Sequence, residues 1–334
     1  MKKFINQSDD VLVESLSGFA EAHADLVSLT LDPHFLCRKK PAVNKVAVIS
    51  GGGSGHEPLH AGYIGYGMLD AACPGHVFTS PTPDQMLAAA ETVASNKGVL
   101  FIVKNYAGDV MNFEMAAEML SVENATVYTS DDCAVINSTY TSGRRGVAGT
   151  VIVEKCVGSL AETGASLAEC QALGEKVNQH TSSIGVALSS CTVPAAGRPT
   201  FSLGEDEIEM GVGIHGEPGR RRTRMQEADA IVKDCVDAIL ADWQLKKLSL
   251  TENHESLLLI NGFGATPLME LYLIYHSAAK QLKQHGVCIT RSLVGNYTTA
   301  LDMAGASISL CLLDEEIKRH WDSPVHTAAL RWGC

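Results

Sequence analysis

Short runs that are apolar throughout alternate with longer amphipathic stretches along the chain. Lys45-Val46-Ala47-Val48-Ile49-Ser50 reads as a strand that ends in the glycine cluster Gly51-Gly52-Gly53-Ser54-Gly55. Val99–Val103 and Ala125–Tyr128 read as further strands. Apolar residues on both faces suit parallel strands covered by helices. Between the first two, Thr82-Pro83-Asp84 opens a helix, with Thr82 as N-cap, Pro83 in the first turn and Met86, Leu87, Ala90, Val93 and Ala94 on one face. A second set of strands falls at Ile184–Leu188, Leu257–Ile260, Val287–Thr290 and Ile308–Leu312. Helices are expected at about 150–180, 225–245, 266–284 and 314–320. The Pro/Gly-rich stretch Val193–Pro199 reads as a boundary loop. The pattern predicts two α/β domains with largely parallel or mixed sheets flanked by helices, residues 1–185 and 186–334.

The 334 residues suffice for two such domains, and a composition of 46% hydrophobic and 19% charged residues excludes a disordered chain. A net charge of -12 argues against a nucleic-acid partner. The 10 cysteines are scattered without a CxxC pair, so they read as reduced thiols and not as a disulfide scaffold or zinc site. The N-terminus turns acidic before any apolar run develops, and no stretch nears the length of a membrane span. A cytoplasmic protein is expected, with no membrane contact.

Three segments carry candidate chemistry. In Gly51–Pro58 the glycines let backbone N–H groups approach a ligand, and His56 stands where a dinucleotide fingerprint needs a third glycine. No phosphate-binding GxxxxGK[ST] loop occurs. Lys104-Asn105-Tyr106-Ala107-Gly108-Asp109 follows the next strand, which brings Asp109 near His56. Gly211–Gly219 surrounds His215 with glycine and proline. Two histidines and one aspartate then face a small polar ligand, one His as general base and the other as nucleophile. No metal signature is present; His60, four residues past His56, falls in an expected loop.

Together these three segments resemble the substrate-binding (K) subunit of dihydroxyacetone kinases, of the bacterial type that depends on the phosphotransferase system. Phe78-Thr79-Ser80-Pro81, Arg145–Thr150, Ala187–Cys191 and Ala300–Met303 extend the resemblance over the whole chain. It implies that His215 adds through Nε2 to the ketone carbon of dihydroxyacetone as a covalent hemiaminal, and that His56 and Asp109 activate the accepting hydroxyl. Gly53, Ser54, Gly55 and Lys104 would complete the substrate cradle. It also implies that no cofactor binds this chain. ADP or ATP with Mg²⁺ would sit on a separate helical nucleotide-binding subunit, and a phosphotransferase-system phosphoprotein would supply phosphate indirectly. The chain would be a homodimer. A dihydroxyacetone-sensing transcriptional coactivator, and a kinase subunit for a larger ketose such as erythrulose, are the alternatives. Two features depart from expectation. Asn261-Gly262-Phe263-Gly264 stands where relatives often read Asn-Asn-Leu-Gly, and Arg220-Arg221-Arg222-Thr223-Arg224 reads as a solvated helix start or a contact for an acidic partner or nucleotide.

Overall fold

The structure, a computed structural model, describes residues 2–41, 43–136, 138, 140–248 and 254–334. Helix α1 (Val11–Ala22) precedes the strands β1 (Val27–Leu31), β2 (His34–Arg38), β3 (Ala47–Ser54), the short β4 (Gly65–Tyr66) and β5 (Ala71–Val77). Then come α2 (Pro83–Val93), β6 (Val99–Lys104), α3 (Ala107–Met119), β7 (Asn124–Thr129), α4 (Thr150–Glu162) and α5 (Leu167–His180). They are followed by β8 (Thr181–Ala187), β9 (Glu207–Met210), β10 (Arg221–Arg224), α6 (Ala228–Leu245), β11 (Glu255–Gly262), α7 (Leu268–Gln284) and β12 (Cys288–Gly295). The remaining elements are β13 (Gly305–Leu313), α8 (Glu315–Asp322), β14 (Val325–Thr327) and β15 (Arg331–Trp332).

Two six-stranded mixed sheets result. The first has the order β1-β2-β5-β3-β6-β7, parallel from β5 to β7 with an antiparallel hairpin at one edge. The second has the order β10-β9-β8-β13-β11-β12, antiparallel except for β11 with β12. Helices α2 and α3 cover one face of the first sheet, and α6 and α7 one face of the second. Between the sheets lies a shared layer. One core cluster joins Leu100 and Ile102 of β6, Val151–Val153 and Val157 of α4, Leu173 and Val177 of α5, and Leu257, Cys311 and Leu313 of the second sheet. Helix α4 is buried on every side, as a helix between two sheets must be. No described helix is long and apolar enough to cross a membrane.

Asp131, just past β7, fastens this layer. Its carboxylate accepts from the backbone N–H groups of Val147 and Gly149, each at 2.8 Å, and from the Ser183 hydroxyl on β8 at 2.5 Å. A buried carboxylate at the N-terminal end of α4 satisfies orphan amides and suits the helix dipole. Strand β8 crosses position 185 and belongs wholly to the second sheet. The C-terminal segment returns to the first half, where β14 pairs with β4.

The expected helix over 150–180 is two helices. Gly164, at φ 80°, ends the first, and Ser166 and Glu169 form a capping box that starts the second, with Ser166 N donating to Glu169 Oε2 at 2.8 Å. The arginine run is not a helix start. It forms the edge strand β10, and its side chains pair with acids: Arg221 with Asp234, Arg222 with Glu209 at 3.5 Å, and Arg224 with Asp206 at 3.6 Å. An alternating edge strand places long charged side chains beside the acids of its neighbour, and such exposed pairs contribute only about 0–1 kcal/mol each.

Close contact between α4 and the chain preceding β5 depends on Gly158, where a Cβ would lie 2.3 Å from Met68 Cα and 2.5 Å from its carbonyl oxygen. Gly158→Ala gains about 1 kcal/mol of helix propensity. Overpacking against immobile backbone typically costs about 1–3 kcal/mol. The variant is therefore expected to unfold at a lower urea concentration than the parent. An equal or higher midpoint would contradict the close packing.

Candidate functional site

The glycine cluster is not a loop. Strand β3 runs on through Gly51, Gly52 and Gly53 to Ser54, paired with β5. Side chains are absent there because neighbours occupy their space. A Cβ on Gly52 would lie 2.2 Å from Lys104 Nζ and 3.4 Å from Asp109 Oδ2, and one on Gly53 would lie 2.6 Å from Thr79 N. Lys104 ends β6 and Asp109 lies in the first turn of α3, so both project over the carboxyl end of β3. Ligands of open parallel sheets bind at that end. Lys104 Nζ lies 3.5 Å from Asp109 Oδ2 and donates to the Gly51 carbonyl at 3.3 Å.

Ser54 and Gly55 are engaged within the protein. The Ser54 hydroxyl donates to the Gly75 carbonyl at 2.7 Å. Gly55, at φ 103°, donates its N–H to the Glu57 carboxylate at 3.0 Å and accepts from Leu301 N at 2.8 Å. A cleft of about 890 Å³ is lined by Gly53, Asp109 and His215 together with Phe78, Tyr106 and Arg198. All three candidate segments therefore contribute to one cleft. Its wall includes residues of the 196–201 segment, which overlaps the Val193–Pro199 stretch that sequence composition marks as a boundary loop. Gly216, at φ 79°, packs against that loop, and a Cβ there would meet Thr200 Oγ1 at 2.5 Å.

The two histidines meet at right angles, with ring centroids 4.6 Å apart. Phe78 stacks on His56 at 5.0 Å and meets His215 edge-on at 5.1 Å. Its backbone takes the left-handed conformation, φ 55°, as does that of Leu301. For bulky residues such outliers cost on the order of 1–3 kcal/mol and persist where the surroundings fix them. Here Phe78 N donates to the Ser54 carbonyl at 2.9 Å.

The rings differ in their partners. His56 is buried, and its Nδ1–H donates to the Thr299 carbonyl at 2.7 Å. Burial, with the neighbouring His215 ring and the Lys104 ammonium, holds its pKa well below the usual histidine value. A neutral ring with the proton on Nδ1 carries a free lone pair on Nε2, and that atom has no hydrogen-bond partner. The accepting carbonyl is itself held in place: Asn261 Oδ1 accepts from the N–H groups of Tyr297 and Thr298, each at 2.8 Å, and its Nδ2 donates to the Thr298 carbonyl at 2.7 Å. Gly262, the departure noted in sequence, packs against Asn296, whose Oδ1 would be 2.3 Å from a Cβ.

His215 has an acid. Its Nδ1–H donates to Glu217 Oε1 and its backbone N–H to Glu217 Oε2, each at 3.0 Å. Burial pushes the Glu217 carboxyl up, but the His215 ring and Arg145 outweigh it and bring it down to about 2. An ionised carboxylate on Nδ1 fixes the tautomer and leaves the Nε2 lone pair free, the arrangement of a base or nucleophile supported by an acid. Arg145 clamps the loop from the other half, donating to the Gly211 carbonyl at 2.7 Å while bound to Asp132 at 2.6 Å.

Phe78, Tyr106, Arg145, Glu217 and Thr299 are the participants that sequence reasoning did not place. For Glu217 a signal exists: Glu-Pro follows each site histidine, and both acids turn back to cap a backbone N–H near it.

The Dak1 domain matches residues 17–329. The chain is 48% identical to the PEP-dependent dihydroxyacetone kinase, dihydroxyacetone-binding subunit DhaK, of Escherichia coli (strain K12), over all of both chains. Among solved structures it is similar to the dihydroxyacetone kinase of C. freundii, with a TM-score of 0.88 and 34% identity. That alignment covers 99% of this chain and 60% of the kinase. The dihydroxyacetone kinase operon co-activator DhaQ has a TM-score of 0.87 and 34% identity, over 95% of this chain and 97% of that one. On these matches the chain belongs to the Dak1 domain family.

Proposed function

We propose that this chain is the dihydroxyacetone-binding subunit of a dihydroxyacetone kinase, a phosphotransferase that works with a partner subunit. The observation that carries the reading is the ionised Glu217 on His215 Nδ1 at the edge of the cleft shared with Asp109. Full-length relatives with that name, at 48% and 45% identity, support it.

In the first step His215 Nε2 attacks the ketone carbon. The N–C bond forms, the C=O π pair moves to oxygen, and that oxygen gains a proton to become a hydroxyl. The ring gives up its Nδ1 proton in return, and Glu217 stabilises the positive charge in between. Glycerol has no carbonyl and cannot be held this way, which a size filter alone would not achieve. In the second step a terminal hydroxyl attacks the terminal phosphorus of the nucleoside triphosphate held by the partner subunit; the new O–P bond forms as the bond to the bridging oxygen breaks, and the nucleoside diphosphate leaves. Asp109 accepts the hydroxyl proton, with neutral His56 as a further hydrogen-bond acceptor for the substrate and Lys104 balancing the charge of Asp109. The nucleotide and Mg²⁺, which stabilise the transferring phosphoryl group, are assigned to a separate helical subunit, recharged by a phosphotransferase-system phosphoprotein. We place the chain in the cytoplasm as a homodimer.

The likeness to the operon co-activator supports a second reading, a ligand sensor without catalysis. The two separate in function. With [2-¹³C]dihydroxyacetone, the carbonyl resonance is expected to move to the sp³ region on binding, and His215→Ala should abolish the shift. An unchanged carbonyl signal in the parent protein sinks the covalent step. Since attachment orients the acceptor, His215→Ala should also lower kcat/KM by about 10²-fold or more.

Turnover is expected only when the nucleotide-binding subunit and its phosphate donor are supplied. Asp109→Asn should then lose about 10²–10⁴-fold in kcat while the ¹³C shift persists. Binding without turnover in the parent, whatever nucleotide subunit is added, favours the sensor.

A further inference from the structure

Helix α4 carries two adjacent charged residues, Glu154 and Lys155, both fully buried between the sheets. Lys155 Nζ turns away from the cleft and donates to the His320 carbonyl at 2.7 Å. Glu154 turns toward the first sheet, where Oε1 lies 2.5 Å from His60 Nδ1. The other ring nitrogen, His60 Nε2, lies 3.0 Å from Lys104 Nζ. Lys104 in turn reaches the Gly51 carbonyl and Asp109. A continuous buried chain therefore runs Glu154–His60–Lys104–Asp109, from the middle of the molecule to the cleft.

Its proton positions follow from donor and acceptor chemistry at both ends. An ammonium group only donates, so His60 Nε2 must accept and the neutral ring must hold its proton on Nδ1. Independently, the Ser50 hydroxyl gives its proton to the Ile102 carbonyl at 2.7 Å, so toward His60 Nδ1 at 3.0 Å it can only accept. Nδ1–H thus points at two acceptors, Glu154 Oε1 and Ser50 Oγ. Space for the ammonium is made by Gly52, which has no Cβ in its path.

We propose that Glu154 and His60 are positioning residues for Lys104: Glu154 fixes the Nδ1–H tautomer of His60, whose Nε2 then holds the ammonium beside Asp109. This rests on the reading of Asp109 and Lys104 as groups that act on the substrate. Without an acceptor at 154, Nδ1–H keeps only the longer contact to Ser50 Oγ at 3.0 Å, and the Nε2-protonated ring gains population. That N–H would face the ammonium and push it off Asp109.

The groups facing His60 are Ser50 on β3, Glu154 on α4, Lys104 on β6 and His56 on its own segment, with the Tyr63 phenol near Glu154. Burial and the charge of Lys104 hold the His60 pKa well below the usual value. Oε1 of Glu154 can accept whether or not Oε2 carries a proton, so the tautomer does not depend on the ionisation of Glu154.

The test is ¹⁵N NMR of histidine-labelled protein, with the His60 signal assigned by its loss in His60→Gln. The parent is expected to show neutral His60 with the proton on Nδ1 between about pH 6 and pH 9. Glu154→Leu, which removes the acceptor, should lose that single tautomer and lower kcat by about 10²-fold, with a smaller change in KM. Glu154→Gln keeps an acceptor oxygen and should restore both tautomer and turnover. Nε2-protonated or doubly protonated His60 in the parent would overturn the proposal without any variant having to fold. Parent-like kcat in Glu154→Leu would overturn it too. Absence of dihydroxyacetone turnover in the parent would instead overturn the functional reading, and the His60 signature would still decide the proton arrangement.

Discussion

The cleft depends on one buried cation. Arg145 is fully buried, bonded to Asp132 at 2.6 Å, and its remaining donors reach the carbonyls of Gly211 at 2.7 Å and Pro218 at 3.4 Å. Those carbonyls bracket His215. A buried ion pair is weak evidence for stability, but removing one partner typically costs about 3–5 kcal/mol because a charge is left alone. Its use here is geometric. Asp131 and Asp132 are adjacent in the chain, and one carboxylate ties α4 to β8 while the other holds the arginine that holds the His215 loop. Layer order and the position of the His215 loop are thus set from a single dipeptide just past β7.

Within that frame the two imidazoles are made chemically unequal by their Nδ1 partners. A neutral carbonyl serves His56, and an ionised carboxylate serves His215. A ring backed by a carboxylate tolerates the positive charge that develops when its Nε2 forms a bond to carbon. A buried ring backed by a carbonyl resists charging and suits hydrogen bonding to a hydroxyl. Environments that separate two like groups assign them different work. Phe78, packed against both rings, fixes the angle between them.

Much of this was legible before any coordinates. Apolar runs gave β6, β7, β11 and β13, and Thr82-Pro83 gave α2, because those signals are local. In sequence the glycine cluster reads as the end of the strand because glycine is depleted in strands, whereas close approach by Lys104 Nζ and Thr79 N requires it inside one. The arginine run looked helical until β9 supplied acids at strand spacing. His56, Asp109 and His215 were legible because each falls in a short glycine-bearing segment. Arg145, Thr299 and Glu154 lie far from either histidine in sequence and reach the site only through sheet order and the shared helical layer. The Val193–Pro199 stretch shows the same limit, since composition marks it as irregular but not as part of the wall of a cleft.

Charge placement bears on where phosphoryl transfer gets its cations. Lys104 is occupied by His60, Gly51 and Asp109, and Arg145 by Asp132 and two carbonyls. Arg221, Arg222 and Arg224 pair with acids of β9, α6 and the 204–206 turn. Among the described residues, Arg198, on the exposed loop, is the cation left lining the cleft. Transfer of a phosphoryl group draws on metal ions and several cationic donors at once. A cleft whose inner cations are already neutralised supports the proposed division of labour. In that proposal this chain fixes and activates the acceptor, and the electrophile arrives with its own counter-charges on another subunit.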